Sequence, residues 1–231
     1  MFKISKLNYL FDLFYPKICM SCGNALKSQE EIICIKCLLR LPKTGFHFHE
    51  DNPISRVFWG RINIEAATSF LFFSKQGRVQ SLMHNLKYRS QKEVGIKLGN
   101  LFGEDLIKSP LYQNIDFIVP VPLHPKKLSK RGYNQSFMIA KGLSDSMQID
   151  INLDLKRKIH SSTQTKKSRY DRWKNVKDIF EISDNNQLEG KRVLLVDDVL
   201  TTGATLEACA NNLSKVKGIS ICIATLAYAN I

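Results

Sequence analysis

The chain is 231 residues long, enough for one full globular domain and a small satellite, which excludes a large multidomain assembly. It is 44% hydrophobic and 24% charged with 12 Gly and 7 Pro, a composition that can bury a core and is neither disordered nor collagen-like. Its 34 Lys and Arg outnumber 21 Asp and Glu for a net charge of +13, so its partners are expected among anions: phosphates, nucleotides, nucleic acid or acidic lipid.

In chain order, Ile4, Leu7, Leu10, Phe11 and Phe14 recur at helical spacing and predict an amphipathic N-terminal helix. Asn8 and Asp12 interrupt its apolar stretch and no small-residue cleavage site follows, so it reads as neither an export signal nor a membrane span. Its apolar side is expected to pack on the protein's own body, because the opposite face lacks the lysines of a membrane-surface helix. No apolar run approaches the roughly 18 residues of a transmembrane helix, and the expected location is the cytoplasm.

Cys19, Cys22, Cys34 and Cys37 follow in the pattern C-x2-C-x11-C-x2-C. Two Cys-x-x-Cys turns can each give two thiolates to one tetrahedral ion, the way structural zinc is held. A redox dithiol normally opens the helix of a strand-helix unit, and no strand precedes Cys19; a disulfide staple belongs to oxidising compartments. A structural zinc site with all four positions filled by protein is therefore expected. His47 and His49, alternating with Phe46 and Phe48, read as the exposed face of a short strand. Cys209 and Cys222 lie on apolar segments and read as buried thiols.

From about residue 62 the pattern alternates between strand and helix. Strands are predicted over 66–73, 117–121, 193–196 and 219–226, and helices over 79–86, 94–106, 135–147 and 203–216. Such alternation implies an α/β fold, a mainly parallel sheet flanked by helices. The expected division is a cysteine-bearing module over residues 1–60 and an α/β domain over 61–231.

Two basic stretches interrupt this scheme. After the strand at 117, Pro120, Pro122 and Pro125 stiffen a loop in which Lys126, Lys127, Lys130 and Arg131 precede Gly132 and a helix starting near Asn134. Residues 156–177 then carry nine basic side chains against one acid, with Lys166, Lys167, Arg169 and Arg172 interleaved with Tyr170 and Trp173. That mixture suits stacking and charge contacts with single-stranded DNA; an exposed basic helix is the plainer alternative.

The most informative stretch is RVLLVDDVLTTGAT, residues 192–205. A buried strand ends in Asp197 and Asp198, and Thr201, Thr202, Gly203, Ala204 and Thr205 lead into a helix. Ligands of open parallel sheets sit beyond the carboxyl ends of strands. A Thr/Gly loop at a helix N-terminus offers N–H groups, hydroxyls and the positive dipole end to a phosphate. Two carboxylates beside it can accept hydrogen bonds from a sugar diol, so the combination suits a ribose 5-phosphate. A receiver domain, which also opens VLLVDD, needs about 100 further residues, more than follow Asp198. Neither a P-loop nor a G-x-G-x-x-G fingerprint is present.

VLLVDDVLTTGAT resembles, without a gap, the phosphoribosyl-diphosphate motif of type I phosphoribosyltransferases. The resemblance implies that Asp197 and Asp198 hold the ribose hydroxyls and residues 201–205 the 5-phosphate. Placed at a strand's carboxyl end beside this site, Lys130, Arg131 and Gly132 are where a diphosphate's charge could be met, a solvated basic loop being the plainer alternative; the resemblance implies Mg2+ with that ligand and a lid formed by the segment around 156–177. With the cysteine knuckle, Leu86-Lys87-Tyr88-Arg89 and VPVPLHP followed by RGYNQS, the ordered motifs are similar to the ComF family of competence-associated, phosphoribosyltransferase-like proteins. In that family's R-x-x-x-T-x-x-Q segment Arg157 and Gln164 keep the spacing, and Ser161 stands where Thr is common. The resemblance implies a type I phosphoribosyltransferase-like fold with an N-terminal zinc module. It further implies binding of phosphoribosyl diphosphate or a related nucleotide, with single-stranded DNA and DNA-uptake or recombination proteins as candidate partners. No base-recognition motif or general base stands out, and the chain begins Met1-Phe2 rather than with the cysteine of glutamine-dependent transferases. A transferase acting on a small-molecule acceptor therefore stays open beside a binding protein.

Overall fold

The computed structural model describes residues 16–158, 179–184 and 186–229. The amphipathic start and Lys166, Lys167, Arg169, Arg172 and Trp173 lie outside the described residues. The elements, in order, are α1 (Ile35–Leu38), α2 (Pro53–Phe58), β1 (Ala66–Phe73), α3 (Arg78–Tyr88), α4 (Lys92–Leu106), β2 (Phe117–Pro120), α5 (Pro125–Arg131) and α6 (Gln135–Met147). They continue with β3 (Leu155–Arg157), β4 (Phe180–Ile182), β5 (Arg192–Leu200), α7 (Ala204–Leu213) and β6 (Ser220–Ala229).

Four strands form one parallel sheet in the order β1-β6-β5-β2. Because alternate residues of a strand face opposite sides, the runs at β5 and β6 feed two cores. Leu194, Val196, Cys222 and Ala224 pack with α3, α4 and α6, while Val193, Leu195, Ile221 and Ile223 pack with α2 and α7. The result is a helix-sheet-helix sandwich. Cys19, Ile33, Cys34 and Cys37 belong to the first of these cores, alongside Phe70 and Leu82, so the cysteine knuckle is packed against the sheet's own helices.

Both outer strands carry an extra segment. Thr44 N–H donates to the Phe70 carbonyl at 3.0 Å and Phe72 N–H to the Pro42 carbonyl at 2.9 Å, covering β1. On the other side Ile118 N–H bonds the Asp150 carbonyl and Asn152 N–H the Ile118 carbonyl, both at 2.9 Å, covering β2.

Helices α4 and α6 approach closely along glycines. Gly95, Gly99 and Gly103 recur every fourth residue and so share one face of α4. A Cβ on Gly99 would lie 2.3 Å from the Ile139 carbonyl oxygen, and one on Gly142 would lie 2.1 Å from that of Ile96. Only hydrogen fits there.

Several expectations change. β5 does not end at Val196 but continues through Asp197 and Asp198 to Leu200, because β6 extends beside it as far as Tyr228. The stretch at 125–131 is helix rather than stiff loop: Pro125 takes the first helical position, His124 Nδ1 accepts from Lys126 N–H at 3.1 Å, and Gly132 at φ 77° ends the turn. His47 is not on an exposed strand. It is buried in a 3-10 turn over Phe46–Phe48, and that burial lowers its pKa. The short antiparallel pair β3-β4 sets Lys156 opposite Glu181 and Arg157 opposite Phe180. Cys209 and Cys222 are buried, as expected.

Candidate functional site

The four-cysteine cluster is built by two turns. Gly23 N–H closes the first onto the Cys19 carbonyl at 2.8 Å, and Cys34 stands at the N-cap of α1, which carries Cys37. All four sulfurs lie within 4.8 Å of one another, and Cys22 Sγ and Cys34 Sγ are 3.9 Å apart. A tetrahedral zinc with Zn–S near 2.3 Å requires sulfurs about 3.8 Å apart, so the cluster fits that ion. Burial works against ionisation of Cys19, but N–H groups of Cys34, Cys22 and Ser21 outweigh it and bring the thiol down to about 7. One thiolate is thus stabilised before any metal adds its charge.

The second constellation sits at the carboxyl end of β5. Asp197 Oδ1 accepts from Ser136 Oγ, in the first turn of α6, and from the Asp198 N–H, both at 2.8 Å. Asp198 Oδ2 pairs with Lys87 Nζ of α3 at 2.8 Å. Loss of water around Asp197, followed by the negative charge of Asp198, pushes the Asp197 carboxyl up to about 7.

After β5 the chain turns through Thr201 and Thr202, both exposed, to Gly203, which caps α7 at φ 77°. A side chain at Gly203 is excluded twice. The left-handed backbone disfavours it, and its Cβ would meet Val57 at 2.9 Å and Phe58 at 3.0 Å. Ala204 and Thr205, both exposed, begin α7, so this loop presents a helix N-terminus to solvent. Arg61 braces it by donating to the carbonyls of Thr202 and Val57, each at 3.0 Å, while pairing with Glu207. Asp197 and residues 199–206 line a shallow hollow of about 40 Å³.

Because β2 lies beside β5, with Pro120 opposite Val196, the chain leaves β2 next to the strand that bears the acid pair and runs on into α5, which carries Lys130 and Arg131 and ends at Gly132. Lys130 and Gly132 are exposed. Arg131 donates to Gln135 Oε1 at 2.7 Å and stacks over Tyr88, 5.4 Å from the ring centre. The fold thus sets Asp197, Asp198 and residues 201–205 at one end of β5, while Lys130, Arg131 and Gly132 follow the neighbouring strand β2. A wider cleft of about 500 Å³ lies elsewhere, between the knuckle and α3. Sequence reasoning left Lys87, Ser136 and Arg61 without roles. Lys87 and Ser136 fall inside quoted motifs, LKYR and YNQS, whereas nothing marked Arg61.

Residues 134–231 match the family model described as phosphoribosyl transferase domain. Competence protein F of Haemophilus influenzae is 40% identical over 101 residues, 43% of this chain and 44% of that protein. Competence protein ComFC of Bacillus subtilis is 27% identical over 214 residues, 91% of this chain and 83% of that one. Among solved structures, the glutamine phosphoribosylpyrophosphate amidotransferase of B. subtilis, complexed with ADP and GMP, aligns with a TM-score of 0.42 at 19% identity, over 61% of this chain and 30% of that enzyme. This chain therefore spans less than half of the Haemophilus relative and under a third of the amidotransferase. Among the described residues no helix is long and apolar enough to cross a membrane. The chain is thus similar to a competence protein along nine tenths of its length, and its parallel sheet flanked by helices has a phosphoribosyltransferase-like fold.

Proposed function

We propose that the protein binds phosphoribosyl diphosphate, or a related ribose 5-phosphate, in the service of DNA uptake or processing of the kind the competence relatives are named for. The observation that carries this reading is the sequence of carboxylate pair, glycine turn and helix N-terminus at one strand end. Asp197 and Asp198 accept hydrogen bonds from the ribose hydroxyls, and the N–H groups of residues 201–205 with the α7 dipole hold the 5-phosphate. Lys130, Arg131 and the Gly132 turn face the diphosphate. Magnesium bound with the ligand supplies further charge to that end. In this reading residues 1–60 form an accessory zinc module to a domain over 61–231, the protein works in the cytoplasm, and Lys166, Lys167, Arg169, Arg172 and Trp173 engage single-stranded DNA.

Asp197→Asn and Asp198→Asn keep shape and remove charge. Each is expected to weaken ligand binding by about 1–3 kcal/mol, the worth of a hydrogen bond to a charged group. Calorimetry with phosphoribosyl diphosphate and magnesium tests this, and equal affinity of wild type and the double variant removes the assignment. One observation favours a transferase over a pure binding protein: Asp197, held near 7, is poised to exchange a proton at neutral pH. Release of diphosphate in the presence of an acceptor, followed by mass analysis, distinguishes the two.

A further inference from the structure

The segment Leu86-Lys87-Tyr88-Arg89 has no task in the ligand reading above. The last turn of α3 that bears it is fixed from two directions. Asn85 Nδ2 donates to the carbonyl of Met20, inside the cysteine knuckle, at 2.7 Å. Tyr133, in the turn between α5 and α6, donates its hydroxyl to the carbonyl of Leu86, which is fully buried. Lys87 then reaches Asp198 Oδ2 at 2.8 Å, with the lysine side chain 21% and the aspartate 16% exposed. Ordering and dehydrating a lysine costs rotamer freedom and hydration, and here the return is directed to one carboxylate. Two adjacent carboxylates repel one another. A cation moored against one of them holds it in place.

We propose that Lys87 is the positioning residue of the ribose site: it fixes Asp198 in direction, so that one acceptor of the pair is ready for a ligand hydroxyl. The inference rests on the ribose reading for its ligand, and on the Lys87–Asp198 pair alone for its geometry. Asn85 extends the mooring to the knuckle, so the same turn of α3 joins the two constellations. Among the described residues the groups around the pair are Lys87 of α3, Ser136 of α6 and Cys209 of α7, with Arg157 of β3 acting on Cys209.

The test compares wild type with Lys87→Met, Lys87→Gln and Lys87→Arg. In ligand-free protein carrying 13C-carboxyl aspartate, carbon NMR at pH 7 follows the Asp198 carboxyl signal. Lys87→Met and Lys87→Gln are expected to displace and broaden that signal as the carboxylate loses its fixed partner, and Lys87→Arg to restore it. Calorimetry with phosphoribosyl diphosphate and magnesium at pH 7 is expected to show binding weakened about tenfold in the two uncharged variants, the scale of one charge-assisted hydrogen bond. Lys87→Arg should stay near wild type. An unchanged Asp198 carboxyl signal in both uncharged variants overturns the pairing. A wild type that shows the pairing yet binds no phosphoribosyl diphosphate overturns the ribose reading and the ligand role built on it. Binding unaffected by the loss of charge overturns the positioning role alone.

Discussion

Substituting Gly142 by Ala asks one methyl group to enter the contact between α4 and α6. It would sit 2.1 Å from the Ile96 oxygen, 2.7 Å from the Asn100 nitrogen and 2.9 Å from the Gly99 Cα. All three atoms are backbone, so no side chain can swing aside. Restoring an ordinary contact of about 3.4 Å opens the helix pair by more than about 1 Å, an overpacking that costs ~1–3 kcal/mol. The opening also loosens Leu98, Phe102, Ile139 and Leu143, all fully buried. Against this, Ala in a helix interior is about 1 kcal/mol better than Gly. With the strain at the upper end of its range, the expected net loss is ~2 kcal/mol, a large share of a typical stability of ~5–15 kcal/mol. Urea unfolding followed by circular dichroism reads this as a midpoint lowered by about 1 M at unchanged slope. Lys141→Ala, exposed on the same helix, should stay within about 0.5 kcal/mol. A Gly142→Ala protein as stable as wild type would refute the reasoning, because only the helix-propensity gain would then have been felt.

Elemental analysis of protein purified without added metal should return about one zinc per chain, and four cysteines found in disulfides would exclude it. Since Cys19, Cys34 and Cys37 share a core with Phe70 and Leu82, Cys34→Ser should lower the melting temperature of the whole sheet as well as loosen the knuckle. Asp197 has a folded pKa raised to about 7 from 3.8, so the stability it contributes is complete at low pH and is lost as pH rises through that window. Asp197→Asn should flatten this slope between about pH 4 and about pH 7 in denaturant titrations while weakening ligand binding, and an unchanged slope would show that the carboxyl is not buried as described.

The long periodic elements were legible because their own composition determines them. Helix α6 spans the expected residues 135–147, and β1 the expected 66–73, since each carries a full apolar stripe or run that one partner layer buries. The strand end at Asp197 was misjudged because charge normally marks an exit from the sheet. Here Lys87 and Ser136, supplied by α3 and α6, satisfy the two acids, and their approach depends on tertiary packing that no local window contains. The α5 helix was hidden for the opposite reason: prolines announce a break, yet Pro125 occupies the one helical position where it loses nothing. The β3-β4 pair, three residues a side, is too short for any period to register. Asp197, Asp198 and residues 201–205 stood out because a loop signature with contiguous residues needs no folding to be read. Arg61 did not, because its contact with the Thr202 carbonyl joins segments far apart in sequence.

The segments at 42–44 and 150–152 act as a selvedge on the central sheet. With the Phe70 carbonyl and Phe72 N–H taken on β1, and both main-chain groups of Ile118 taken on β2, strand addition is blocked at the middle of each rim. A second copy of the chain, or an extended peptide, cannot lengthen this sheet without first stripping one of these borders. Association is therefore left to side-chain surfaces. Peeling of residues 42–44 is the local opening most apt to seed aggregation, since it bares an eight-residue hydrophobic strand while the rest of the sheet stays intact.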